Sequence, residues 1–160
     1  MDTHVIVGLI QESLFMILVF SALLAIALMK GRYAIINIIF ALYLALLVSL
    51  KFPYFSFFLG TESKATDAVV MIVIFLVFTI LGIMLFRKHI PGDDFESTFQ
   101  HFGTKALLAL MATVLVMAYS YHALPVTDLI TPGSPIQSLF APEQNFFWWL
   151  MLPLITLFFV

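Results

Sequence analysis

The chain has no cysteine and few charged residues, and both shortages limit what it can be. Without cysteine it cannot form disulfides, thiolate metal sites or a cysteine nucleophile. Charged residues make up 10% of its 160 residues, whereas a soluble globular protein carries about 25%. The formal net charge of -2 argues against nucleic acid as a partner, because nucleic-acid-binding domains are basic.

Hydrophobic residues dominate what is present. They make up 63% of the sequence, and the mean hydropathy is +1.14. A soluble domain of this length leaves much of its surface in water and cannot hide so much apolar area. We therefore expect an integral membrane protein in which a single helical domain, residues 1–160, is covered by the lipid bilayer.

Four long apolar runs predict transmembrane helices. A spanning helix needs about 20 mostly apolar residues, with a range of about 17 to 25. The runs cover residues 5–29, 33–50, 68–86 and 104–124. Pro53 should end or kink the second helix, because proline lacks the backbone N–H that a helix needs. The predicted fold class is an all-α, polytopic membrane protein.

Two further segments are harder to classify. Asp93 and Glu96 form a capping-box-like pair, which predicts a short amphipathic helix over residues 93–102, lying in the membrane interface. The last segment, 146–160, is apolar but contains Pro153 and is short for a span. It is compatible with an interfacial helix, a half-span or a fifth spanning helix.

The basic residues lie unequally around the spans. Five flank the first and third connections and two flank the second: Lys30, Arg32, Arg87, Lys88 and Lys105 against Lys51 and Lys64. Because cytoplasmic loops carry the excess of Lys and Arg, the N-terminus is predicted outside. At the outer interface, Trp148 and Trp149 fit an aromatic belt as anchors, and the Tyr119-Ser120-Tyr121-His122 stretch indicates a second interfacial group.

Glu12 is the most unusual residue, because it lies within the first apolar run beside Gln11. An intramembrane carboxylate is a functional hypothesis by default: it could carry protons, bind a cation or pair with a partner. Alternatively, the span begins later and Glu12 lies near the headgroups. Asn37, in the second run, is better explained as an interhelical hydrogen-bonding group.

Small residues recur at intervals of three or four, which allows helix backbones to approach closely. The pattern predicts helix contacts, within the chain or between copies. The residues are Ser21 with Ala25, Ala41 with Ala45, and Ala106, Ala109 and Ala112.

Enzyme motifs are missing from the sequence. It contains no GxSxG, no HExxH and no phosphate-binding loop. We therefore expect a protein that is not an enzyme, without catalytic residues, cofactor or metal site.

The order of elements, together with three short motifs, carries a family resemblance. The motifs are Lys30-Gly31-Arg32, the stretch from Asp93 through Gly103-Thr104-Lys105-Ala106-Leu107-Leu108, and Gly133-Ser134-Pro135-Ile136. In these features the chain resembles the colicin V production protein (CvpA) family of small bacterial inner-membrane proteins. Lys105 stands where that family usually has an arginine. The resemblance implies a non-enzymatic component of the inner membrane, tied to envelope function or export.

Two functions are therefore expected from the sequence. The first is a structural or interaction protein that binds copies of itself or other membrane proteins in an envelope- or export-related assembly. The alternative is an ion- or proton-conducting transport subunit that uses Glu12.

Overall fold

The computed structural model describes residues 3–53, 64–90, 102–122, 135–140 and 142–160. All regular structure within these ranges is helical. The helices are α1 (Thr3–Lys30), α2 (Arg32–Leu50), α3 (Lys64–His89), α4 (Phe102–His122), α5 (Pro135–Phe140) and α6 (Glu143–Phe159). The first four are long and apolar enough to cross a membrane, so the predicted all-α, multi-pass membrane fold is confirmed.

Two of these helices are longer than their apolar runs. The 28 residues of α1 and the 26 residues of α3 rise about 42 and 39 Å, more than the roughly 30 Å of hydrocarbon. In α3 the extra turns are polar, with Asp67 at the start and Arg87, Lys88 and His89 at the end. These charges suit the positive and negative ends of the helix dipole, so the helix continues where hydropathy alone would end it.

Gly31 alone connects α1 to α2. Its φ of 80° lies in the left-handed region that glycine enters without steric penalty. A connection of one residue leaves α2 little choice but to return beside α1. At its other end, α2 finishes at Leu50, three residues before Pro53, as expected for a helix that approaches a proline.

The closest helix contact joins α2 to α3. A Cβ atom added at Gly82 would lie 3.0 Å from the Cβ of Ala41 and 3.1 Å from its Cα. Phe40 and Phe86 also meet, with ring centroids 5.7 Å apart. The paired positions rise along α2 as they fall along α3, so the two helices are antiparallel. The basic residues at the start of α2 and the end of α3 therefore lie at one end of the bundle.

The helix at the centre of the bundle is α4, which packs against α1, α2 and α6. Its buried face repeats every three or four residues and consists of Lys105, Leu108, Ala109, Ala112, Leu115 and Tyr119. In contrast, the described side chains of α1 are mostly exposed, and only Leu23 and Ala27 are buried. The bundle thus has a central helix and a peripheral one whose apolar surface faces outward.

The C-terminal segment is resolved as one helix that packs on α4. Helix α6 is continuous through Pro153, which is buried. Its 17 residues rise about 26 Å, slightly less than the hydrocarbon thickness. The short helix predicted over 93–102 lies outside the described residues except for Phe102, which begins α4.

We predict that Gly82→Leu destabilises the protein. The added side chain meets the backbone of Ala41, and overpacking of this kind costs about 1–3 kcal/mol. The change in stability is measured by thermal unfolding in detergent, with the helical circular dichroism signal as the readout. Gly103→Leu is the matched control, because a Cβ at Gly103 meets nothing within 4 Å. Equal losses from both substitutions would show that the α2–α3 contact is not tight.

Candidate functional site

Glu12 and Gln11 lie in α1, but their side chains are outside the described part of the structure. The helix places Glu12 about 27 Å from Lys30 along its axis. If Lys30 marks one face of a hydrocarbon layer about 30 Å thick, Glu12 lies close to the opposite face. This position fits a carboxylate near the headgroups. Conduction through Glu12 stays a hypothesis from the sequence.

Asn37 lies at the other end of the bundle, so it does not form one site with Glu12. Its side chain is 3% exposed, and its Nδ2 donates a hydrogen bond to the carbonyl oxygen of Ile90 at 3.3 Å. The amide oxygen is buried and has no hydrogen-bond partner among the described residues. Asn37 thus connects the start of α2 to the end of α3.

Lys105 is a buried polar residue that the sequence reasoning did not find. We counted it as a basic residue of a connection, but it lies in the first turn of α4 and is 0% exposed. Lys105 takes part in at least one interaction, and burial of a charged group is costly unless the group is paired. Helical spacing gave a usable signal, because Leu108, Ala109 and Ala112 follow on the same face.

A half-buried polar group, the hydroxyl of Tyr43, links α2 to α6. Proline has no N–H, so Pro153 removes the usual donor to the carbonyl of Trp149, four residues earlier. The next carbonyl, that of Leu150, accepts a hydrogen bond from the hydroxyl of Tyr43 on α2. A side chain from a neighbouring helix therefore supports the backbone next to the proline, as is common in membrane helices.

Tyr119 corrects the prediction of an interfacial group at the end of the fourth span. Its side chain is 1% exposed and packs edge-on against Phe75 of α3, with ring centroids 5.8 Å apart. Ser120 is buried as well. The phenolic oxygen of Tyr119 has no hydrogen-bond partner among the described residues.

The interior hydroxyl groups are used within their own helices. Thr79 donates to the carbonyl of Phe75 at 2.8 Å, and Thr113 donates to that of Ala109 at 2.8 Å. Ser120 donates to the carbonyl of Val116 at 2.9 Å. Backward bonds of this kind are usual for helical Ser and Thr, so these groups do not link one helix to another.

Three side chains hold the end of the six-residue helix α5 against the bundle. Asn145 and Trp149 donate to the carbonyl of Leu139 at 3.3 and 3.2 Å. The Nε2 atom of His122 donates to the carbonyl of Phe140 at 2.7 Å. The last carbonyls of a helix have no partners within it, so these bonds satisfy groups that would otherwise be unpaired. The predicted anchors differ, because Trp149 packs on Phe140 whereas Trp148 is 62% exposed.

The predicted small-residue pairs have different positions in the structure. Two sets lie in the core at 0% exposure, namely Ala41 with Ala45 and Ala109 with Ala112. Ala106 is half-buried. Ser21 and Ala25 of α1 are both exposed, and the hydroxyl of Ser21 bonds back to the carbonyl of Leu18 at 2.9 Å.

Neither a metal site nor a relative gives the protein a function directly. Within the described ranges, no group of three or more His, Asp or Glu side chains could hold a metal ion. No protein-family model matches the chain, and no curated protein or solved structure matches it. The resemblance to the colicin V production protein family therefore stays a prediction.

Half-buried Tyr43 and buried Tyr119 provide a paired test of the hydrogen bonds in the bundle. Tyr43→Phe removes an interhelical hydrogen bond, and such bonds in membrane proteins average about 0.6 kcal/mol, with a maximum of about 1.7. Tyr119→Phe removes a buried hydroxyl without a partner in the described structure, so stability should stay equal or rise. Reversible unfolding in mixed micelles measures both. The opposite order of stabilities would contradict the hydrogen-bond assignment.

Proposed function

We propose that the protein is a non-enzymatic structural or interaction subunit, and that it assembles through the exposed face of α1. The observation that supports this is the unequal use of the small-residue pairs. The small-residue pairs of α2 and α4 are buried in contacts within the chain, whereas Ser21 and Ala25 of α1 are exposed. The assembly face proposed here is the α1 stripe, which consists of Ser21, Ala22 and Ala25.

The physical reason lies in how helices associate in lipid. Lipid tails are as apolar as the side chains, so helices gain little by burying hydrophobic area against one another. Association depends on close packing, which small residues permit. On a surface that faces lipid, large side chains pack against the acyl chains as well as small ones do. Contact with lipid therefore does not explain a stripe of Ser and Ala.

A second copy of this chain is the partner that suits the stripe best. In a twofold dimer the same patch meets itself, and both surfaces then have small residues at the contact. Exposed Leu18 and Met29 flank the stripe and can pack around the close approach. Ala41 and Ala109 cannot have this role, because they are fully buried within one copy.

The wider setting remains part of the proposal. The basic residues at the bundle end of Lys30, Arg32 and Arg87 favour an N-terminus outside. The resemblance in the order of elements favours a bacterial inner membrane and an assembly tied to the envelope or to export. The dimer contact itself does not depend on this setting.

The lack of cysteine makes the proposal easy to test. In membranes that contain Ala25→Cys, we expect oxidation to give a covalent dimer, because a disulfide requires Cα atoms within about 7 Å. Gel electrophoresis without reductant detects it. Leu81→Cys is the control, because Leu81 is an exposed residue of α3, at 55%, away from the stripe.

The cross-linking results distinguish a second copy of this chain from another membrane protein as the partner. A dimer from Ala25→Cys alone supports the proposal, and Ala25→Phe in the wild-type background should then shift the oligomer to monomer in mild detergent. Equal cross-linking at both positions indicates random collision and contradicts the proposal. Absence of a dimer at Ala25→Cys also contradicts it and would leave another membrane protein as the candidate for this face.

A further inference from the structure

A groove runs along the last third of α3. It is an open depression of about 590 Å³, and its described lining is Ile80, Ile83, Met84, Arg87 and Lys88. These residues cover about 12 Å of helix length. Ile80 and Met84 are 52% and 65% exposed, so the groove opens outward from the bundle rather than into its interior.

The two charges of the groove have no counter-charge in the described structure. Neither Arg87 nor Lys88 forms an ion pair or a side-chain hydrogen bond with any residue that the structure describes. Lys30 and Arg32 lie at the same end of the bundle, which adds two further basic residues there. A guanidinium and an ammonium side by side at the end of a spanning helix form a donor set that suits a phosphate.

The arrangement along α3 follows the depth of the membrane. The apolar residues of the groove lie about one and a half to two and a half turns inside the helix end, and the basic residues lie in the last turn. Hydrocarbon and charge are thus separated in the same direction as the acyl chain and headgroup of a phospholipid.

Other occupants fit less well. A neighbouring helix would favour small residues for close approach, but the groove is lined by large and branched ones. A free phosphate would use Arg87 and Lys88 and leave the apolar wall unexplained. Basic pockets on transmembrane helices at the cytoplasmic side are known binding sites for anionic lipid headgroups.

We propose that this groove binds one anionic phospholipid. The phosphate accepts hydrogen bonds from Arg87 and Lys88. One acyl chain lies against Ile80, Ile83 and Met84. The site belongs to α3 and does not depend on assembly through α1.

Native mass spectrometry of the full chain in mild detergent tests the site. Phosphatidylglycerol and phosphatidylcholine are added separately, and bound lipids are counted as a function of concentration. Two basic side chains at a membrane surface are together worth roughly 30-fold in binding. The double variant Arg87→Gln/Lys88→Gln should therefore weaken phosphatidylglycerol binding by about that factor, while binding of phosphatidylcholine changes little.

Two further variants keep the test specific. Lys51→Gln/Lys64→Gln removes two charges at the opposite end of the bundle and should retain wild-type affinity for phosphatidylglycerol. Met84→Gln leaves the charges in place and should also weaken binding, because it makes the acyl-chain wall polar. Circular dichroism confirms that each variant is folded. Sodium glycerol phosphate, which has the headgroup chemistry without acyl chains, should not displace the lipid.

Several results would overturn the proposal. Unchanged binding in Arg87→Gln/Lys88→Gln excludes the site. An equal loss in both charge variants means that overall charge, not the groove, attracts the lipid. Displacement by glycerol phosphate, or unchanged binding in Met84→Gln, would reduce the site to a phosphate contact without a place for the acyl chain.

Discussion

Every backbone polar group inside the hydrocarbon has to be satisfied by the protein itself, and the rest of this structure depends on that constraint. Water cannot reach these groups, and each unpaired one is costly. Helices pair these groups along most of the chain. A proline or a helix end, however, leaves backbone carbonyls without a partner inside the helix. At Pro153 the structure responds with Tyr43, whose hydroxyl binds the neighbouring carbonyl of Leu150. At the end of α5 it responds with Asn145, Trp149 and His122.

These hydrogen bonds also connect neighbouring helices. The bond from Tyr43 links α6, which packs on α4, to α2, and that from His122 links α5 to α4. The C-terminal helix is therefore part of the bundle, although its sequence alone is compatible with a helix lying on the membrane. The same hydrogen bonds thus satisfy backbone carbonyls and connect the C-terminal helices to the bundle.

The spans could be predicted from sequence because hydropathy measures the transfer of whole segments into lipid. The positions of the buried polar residues could not be predicted in this way, because hydropathy treats every polar residue as an interruption of a span. Lys105 and Tyr119 were assigned to a connection and to the interface for this reason, although both are buried in α4. Their positions follow from periodicity, since Lys105, Ala109, Ala112 and Tyr119 share one helical face. Ala41 and Ala109 lie in contacts within the chain, and the spacing of small residues could not tell whether a contact lies within or between copies.

Helices α1 and α3 both expose apolar residues, but their exposed surfaces differ in side-chain size. This difference favours a protein neighbour for α1 and a lipid neighbour for α3. On α1 the exposed residues include Ser21, Ala22 and Ala25, which leave a shallow surface that another backbone can approach. On α3 the exposed residues include Ile80 and Met84, which project too far for such an approach and are followed by two basic side chains. The buried pair Ala41 and Gly82 shows that close approach on α3 is directed toward α2 instead. A dimer that uses α1 thus leaves the groove of α3 at the lipid boundary, where an anionic phospholipid can neutralise the charges that the described part of the fold leaves unpaired.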